Sequence, residues 1–369
     1  MQNRLDTIPE TLLMGPGPSA VAPEVYRALA RPTLGHMDPA FIAIMDEIKT
    51  NLRTVMGTVS PVTIPLSGTG SAGMEAAFVN LVEPGDAGLV LVNGVFGRRM
   101  VEVASRLGAK VDALEFEWGT PVEPDAVARA LQAANYAFVA VVHAETSTGV
   151  RNPVEAIGPL VRDAGALYLV DAVTSLGGIP VEADARGIDA LYSGTQKCLS
   201  CPPGLSPFTL SDRSMAKLRA RKTKVPNWYL DVGLLVEYWA GGARAYHHTA
   251  PVNMLYGLYQ ALRQVVEEGL ERVYARHRDA HALLVDGLER LGLEMLVAPD
   301  CRLPMLNALK VPAGVDEAAV RRSLLEEDRI EIGGGLGPLA GRIWRIGLMG
   351  HTARPENVQR VVEALKKRL

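Results

Sequence analysis

Lys197 stands as a single lysine among small and polar residues in "YSGTQKCLSCPPG" (192–204), between a strand-like run and a proline-glycine break. A lysine amine at a buried rim is costly unless it has a use. Asp171 ends the apolar run "ALYLVD", at the carboxyl edge of a sheet, where α/β proteins place ligands. Its carboxylate is there either a cap for neighbouring amides or a charge with a partner. Upstream, "SGTGSAGMEAAF" sets Gly68, Gly70 and Gly73 between a strand-like and a helix-like run. That spacing fits a dinucleotide fingerprint, a phosphate seat built from helix N-terminal amides with the hydroxyls of Thr69 and Ser71, or a plain turn. The dinucleotide reading asks for an acid about 20 residues on, where the sequence offers Asn93. One chemistry uses an anion seat, a carboxylate and a lysine together: pyridoxal 5′-phosphate held as a Schiff base. The amine forms the imine, the carboxylate keeps the pyridine nitrogen protonated, and the helix N-terminus takes the phosphate.

These residues need a scaffold that brings strand ends to one edge. From residue 62, short β-branched runs alternate with longer amphipathic ones: "VTIPLS" before "SAGMEAAFVNLV", "GLVLVN" before "GRRMVEVASRLG", "AFVAVVH" before "NPVEAIGPLVRDAG", followed by "ALYLVD", "DALYSG" and "LSPFTLS". Strands apolar on both faces and separated by helices predict a mainly parallel sheet covered on both sides, an α/β layer. After "YHHTAPVN" the stretch 254–292 carries apolar residues every three and four, which predicts a long helix leading into a second unit. The tail alternates strand-like "NALKVP", "RIEIGG" and "RIWRIGL" with helical "DEAAVRRSLLEE" and "RPENVQRVVEALKKRL", which suits a small α+β domain. The expected division is an N-terminal arm 1–16, a large domain 17–265 and a small C-terminal domain 266–369.

With 369 residues, 48% of them hydrophobic, the chain can bury more than one core. Its 38 basic against 41 acidic residues, net charge −3, offer no general field for nucleic acid or anionic lipid. The expected ligands are small molecules. No stretch supplies about 20 uninterrupted apolar residues for a membrane span, and the opening lacks a signal-peptide core. Three unevenly placed cysteines fit a reducing compartment, so the expected location is the cytoplasm. The final "KKRL" is a faint match to a peroxisomal address, and a basic last helical turn accounts for it.

"YSGTQK", "LYLVDAVTSLGG", "HAETSTGV", "YHHT" and "GGLGPLAGRIWRIGLMG" resemble the class V (fold type I) aminotransferases that depend on pyridoxal 5′-phosphate, most closely the alanine-glyoxylate or serine-pyruvate group. The resemblance runs from "LLMGPGPS" (12–19) nearly to the C-terminus with the motifs in order. It implies that Lys197 is the Schiff-base lysine and, once freed, the base that moves the substrate's Cα proton. It implies Asp171 as pyridinium partner, Val173 against the ring, and Thr69, Gly70, Ser71 and Gln196 at the phosphate. Tyr246 and Thr249 are expected to reach the same phosphate from a neighbouring subunit, which implies a homodimer. Thr146 falls near the cofactor's phenolic oxygen. Arg345 is the arginine expected to grip the substrate carboxylate, a bidentate task that suits a planar fork. Two positions depart from the pattern: Phe96 stands where a stacking tryptophan is common, and Ser71 where a histidine is often seen. The implied reaction moves an amino group from alanine or serine to glyoxylate or pyruvate, since no second arginine in these motifs is marked to meet a distal carboxylate.

Other signals receive plainer readings. Cys198 and Cys201 make one C-x-x-C without the second pair that a structural zinc site needs, and no metal site is expected. His277 and His281, four apart, read as a solvated helix face. His247 and His248 read equally as packing, interface hydrogen-bonding or catalytic groups, and they are left out of the catalytic set. A cysteine desulfurase would need a reactive thiol on a mobile loop, and only Cys301 stands far from Lys197 in sequence. A pyridoxamine-pyruvate enzyme would need an acid and an arginine where Gly68 and Leu336 stand. A non-catalytic cofactor scaffold and a NAD-dependent oxidoreductase are the remaining alternatives.

Overall fold

The computed structural model describes residues 3–240 and 244–369; the first two residues of the expected arm lie outside them. Seven strands form one sheet in the order Thr63–Ser67, Leu205–Leu210, Ala190–Tyr192, Leu167–Asp171, Phe138–Val142, Ala87–Val92, Lys110–Glu115. Leu205–Leu210 runs antiparallel to both neighbours, and every other pairing is parallel. All residues of Phe138–Val142 and Leu167–Asp171 are buried, as expected where helices cover both faces of a parallel strand. The edge strand Lys110–Glu115, "KVDALE", has a neighbour on one side only, and just Val111 and Leu114 pack against the core. Its polar alternation hides it from a search for apolar runs.

The large core draws on residues 22–273, while a second core gathers Met14 with residues 280–365 around the fully buried Trp344. In the second core Leu306–Lys310, Ile343–Gly347 and Gly333–Gly334 make a three-stranded antiparallel sheet. The end of the expected arm belongs to this part. Leu12–Leu13 pairs in parallel with Ile330–Glu331, and Met14 is fully buried. Three consecutive apolar side chains there gain more from covering that edge than from solvent.

The expected long helix is two helices, Val252–Glu268 and Leu270–Glu289. They meet at Gly269, whose φ of 86° lies in the left-handed region that glycine reaches without steric cost. His277 corrects a second expectation, because it lies on the buried stripe of the latter helix with Val273, Ala280, Leu284 and Leu288. Its Nδ1 lies 2.7 Å from the Val273 carbonyl and its Nε2 accepts the Gly350 amide at 2.9 Å. Two backbone partners let the ring replace an apolar residue in a core. His281 is likewise tied, Nδ1 to Asn307 Oδ1 at 2.6 Å.

Candidate active site

Asp171 and Tyr192 are register partners that end adjacent parallel strands, so the chain leaving each strand emerges at the same sheet edge. The helix Gly70–Leu81 starts beside them, after strand Thr63–Ser67. Between these ends lies a cavity of about 140 Å³. Thr69, Gly70, Ser71 and Gln196 line it, as do Phe96, Thr146, Asp171, Val173 and Lys197. The structure thus brings nine of the residues singled out in the sequence to one place.

Lys197 is held from both sides of its backbone. Ser19 donates its hydroxyl to the Lys197 carbonyl at 2.7 Å and its amide to the Gln196 carbonyl at 2.8 Å. The lysine Nζ donates to the Pro16 carbonyl. Gly17, φ +111°, packs so close that a Cβ there would fall on the lysine side chain. Burial pulls the amine down to about 8, with Arg345 acting the same way and Cys198 and Asp171 opposing. That lowering brings more of the amine into the neutral form that can act as nucleophile or base.

Asp171 is 3% exposed. Its Oδ1 accepts the Val173 amide at 2.8 Å, so the cap is real. Burial nevertheless pushes its carboxyl up to about 7, against the lowering effect of that amide. A carboxylate so placed gains from any cation brought beside it.

At the opposite end of the cavity the helix Gly70–Leu81 begins without a side-chain cap, which leaves first-turn amides for an anion. A Cβ on Gly70 would sit 3.1 Å from Val173 Cγ2 and 3.4 Å from the Ser193 carbonyl, a tight approach that glycine makes without displacing either neighbour. Gln196 Oε1 is buried without a hydrogen-bond partner. These are the features of a seat for a polar ligand.

Arg345 comes from the other sheet. It is 6% exposed, with Nε donating to the Gly334 carbonyl at 2.7 Å and Nη1 to the Thr146 carbonyl at 3.0 Å. Those two bonds fix the guanidinium plane beside a cavity-lining residue and leave Nη2 for a ligand. Burial lowers the guanidinium to about 10, while Glu145 supports its charge.

Sequence reasoning missed several supports. Glu145 is fully buried and takes the amides of Phe96 (3.2 Å) and Gly97 (3.3 Å), with the Ser147 amide (3.1 Å) and hydroxyl (2.6 Å). It thereby holds the first turn of the helix Val95–Arg106, on which Phe96 sits. Its signal was an acid between apolar and hydroxyl residues in "HAETSTGV". Arg99 also lines the cavity, its guanidinium 4.9 Å over the Phe96 ring. The expectation of a single arginine is therefore corrected: one helical turn separates Phe96 from a second cation that the motif "NGVFGRR" already contained.

Tyr246 and Thr249 are not in the cavity. Both are exposed, their hydroxyls 3.4 Å apart. Other candidates are spoken for. Asn93 is locked in a buried amide pair with Asn152, which removes it as a ribose partner. Cys198 donates to the Thr174 carbonyl at 3.3 Å, and Cys301, also buried, to the Ala298 carbonyl at 3.5 Å. Burial raises all three thiols, the reverse of what a nucleophilic cysteine needs. Among the described residues no helix is long and apolar enough to cross a membrane.

The family model described as aminotransferase class-V matches residues 22–354. The chain is 41% identical over 366 residues to the alanine–glyoxylate aminotransferase of Mus musculus, covering 98% of this chain and 88% of that protein. It is 40% identical over 376 residues to the (S)-ureidoglycine–glyoxylate transaminase of Bacillus subtilis, covering 97% and 90%. The crystal structure of an alanine–glyoxylate aminotransferase from Nostoc sp. superposes with a TM-score of 0.96 at 50% identity, covering 98% of this chain and 95% of that one.

Proposed function

The chain belongs to the class V aminotransferases, and from that premise we propose that it uses pyridoxal 5′-phosphate to move the amino group of a small L-amino acid, alanine or serine, to glyoxylate or pyruvate. One observation carries the reading: a depressed lysine, an elevated aspartate and an uncapped helix N-terminus share one cavity. The residues fit the cofactor. Thr69, Gly70, Ser71 and Gln196 would hold its phosphate, Phe96 and Val173 its ring, Thr146 its phenolic oxygen, and Asp171 its ring nitrogen. Bound there, it supplies an electron sink for the pair released when the substrate's Cα loses a proton. Lys197 takes and returns that proton at Nζ, with its amine tuned near working pH as a general base requires. Asp171, paired with a cation, returns to the ionised form and fixes the positive charge opposite it. Arg345 orients the substrate by its carboxylate through the free Nη2 edge, and the segment 15–17 covers the lysine and limits water there.

The same proposal includes a homodimer in which Tyr246 and Thr249 serve the partner's phosphate. It is supported by their exposure and by an aromatic surface beside them, Trp228 62% and Tyr229 41% exposed. It also includes the division 1–16, 17–265 and 266–369, supported in outline by two separate cores, although the large core runs on to Val273 and Met14 of the arm joins the small one. A cytoplasmic location is supported by three free, buried cysteines.

The test is the visible spectrum of the purified protein after loading with pyridoxal 5′-phosphate, followed on separate addition of L-alanine, L-serine and L-glutamate. Rapid bleaching by alanine or serine is expected. Glutamate as the fastest donor would overturn the small-donor assignment and give Arg99 the distal carboxylate.

A further inference from the structure

Behind the phosphate end of the cavity, a chain of hydrogen bonds runs from the surface to the foot of the loop 68–71. His247, 7% exposed, has Nε2 3.3 Å from the Trp228 carbonyl. Its Nδ1 lies 2.9 Å from Nδ1 of His248. His248 Nε2 in turn lies 2.7 Å from Ser67 Oγ. Ser67 ends the strand Thr63–Ser67 and is followed directly by Gly68. Tyr229 donates its hydroxyl to the Ser67 carbonyl at 3.2 Å, and the Trp228 indole stacks on the His247 ring at 4.3 Å, 9° from parallel.

One carbonyl fixes every proton in this chain. A carbonyl oxygen only accepts, so His247 Nε2 carries a hydrogen and donates it. A neutral imidazole has a single N–H, so His247 Nδ1 is an acceptor, and His248 Nδ1–H donates to it. His248 Nε2 is then the acceptor of the Ser67 hydroxyl. In this neutral form Ser67 is the donor at the inner end; one added proton would instead reverse the chain, with His247 Nδ1–H donating to His248 Nδ1 and His248 Nε2–H to Ser67 Oγ.

We propose that His247 and His248 are positioning residues for the phosphate end of the cavity: as a neutral pair, with His248 in the Nδ1–H form, they fix Ser67 and through it the loop 68–71. The proposal rests on the reading of this loop as a phosphate seat. Facing the pair are His36, Tyr229 and Tyr238, with Tyr246 against His36 and Arg244 acting on Tyr238. Burial, then the neighbouring His247 and His36, lowers the affinity of His248 for a second proton. A histidine depressed in the folded state contributes fully above its ordinary value of 6.5, and the contribution is lost as pH falls below that value.

The first measurement is nitrogen NMR of the full-length protein carrying labelled histidine. At pH 8 it should show His248 protonated on Nδ1 and His247 on Nε2. His248 in the Nε2–H form at pH 8 would overturn the proposal whatever the ligand does. The second is the affinity of the cofactor-free chain for pyridoxal 5′-phosphate and for pyridoxal, which lacks the phosphate. An asparagine reproduces only the Nδ1 side of a histidine and a glutamine only the Nε2 side. His248→Asn should therefore weaken pyridoxal phosphate about three- to tenfold, the worth of one hydrogen bond, and leave pyridoxal unchanged. His248→Gln should retain near-normal affinity for both. Equal loss of both ligands, or equal loss in both variants, would reduce the pair to general packing. A wild-type chain that binds neither ligand would overturn the cofactor reading and the positioning role with it, and the tautomer result separates that case from a relay that does not exist.

Discussion

The two ends of the cavity are built by different means. At the proposed cofactor end, Gly70, Asp171 and Lys197 stand at or just after the ends of three strands of one sheet, and strand register sets their spacing. At the proposed carboxylate end, beside the cavity-lining Thr146, Arg345 rises from the sheet of the second core and is oriented by carbonyls of Gly334 and of Thr146 across the seam. The N-terminal segment completes that seam: Gly347, two residues beyond Arg345, donates its amide to the Met14 carbonyl at 2.7 Å, and Pro16 and Gly17 then cover Lys197. One end is fixed by a single rigid element and the other by the meeting of three segments. Damage to the first should remove chemistry, and damage to the second should loosen the grip on substrate.

The largest effect falls at the cofactor end. Lys197→Ala should lose turnover by at least the roughly 10²- to 10⁴-fold that positioned proton transfer supplies, while the protein still binds pyridoxal phosphate weakly. Single-turnover kinetics with alanine decide the matter, and near-normal rates would remove Lys197 from its role. Asp171→Asn comes next. Removing one member of a buried charge pair costs about 3–5 kcal/mol, on the order of 10²- to 10⁴-fold in rate. Its stability should move the other way. With no cofactor bound, the carboxyl is raised from 3.8 to about 7, so the folded state holds its proton longer than the unfolded one. The wild-type protein loses stability as pH rises from about 4 to about 7. Melting curves of the cofactor-free proteins should show the variant above wild type at pH 8 and the difference gone near pH 4.

The same contrast decides how much was legible in the sequence. Asp171 and Lys197 could be placed because apolar runs mark parallel strands and strand ends mark the ligand edge. The edge strand Lys110–Glu115 could not, since one-sided pairing leaves no apolar run. Arg345 was legible only through motif resemblance, because no local pattern says that a strand of the second sheet will meet Thr146. Glu145 and Ser19 escaped for a related reason: each bonds backbone groups that fold into reach from far along the chain. His277 was misread because spacing locates a helix face without saying what covers it, and here the Gly350 amide does.

Arg345→Lys tests the seam itself. A lysine keeps the charge but cannot hold Gly334 and Thr146 while presenting a planar edge to a carboxylate. Losing hydrogen bonds to a charged group at about 1.5–3 kcal/mol should raise KM for alanine roughly 10- to 100-fold, with the cofactor spectrum unchanged. A spectrum that shifts as much as KM would mean that the two ends are not separate.

The smallest effect isolates the N-terminal segment. Gly17 and Gly85 both hold φ in the left-handed region, +111° and +90°, and an alanine at either should cost about 1–2 kcal/mol of backbone strain. Around Gly85 a new Cβ meets open space, whereas at Gly17 it meets the Lys197 side chain. Both variants should therefore melt a few degrees lower, but only Gly17→Ala should also lower kcat/KM, by about tenfold for each 1.4 kcal/mol that the lysine is pushed off its position. Equal activity in the two would mean that residues 15–17 merely pass over the lysine, and the seam would then rest on Arg345 and its two carbonyls alone.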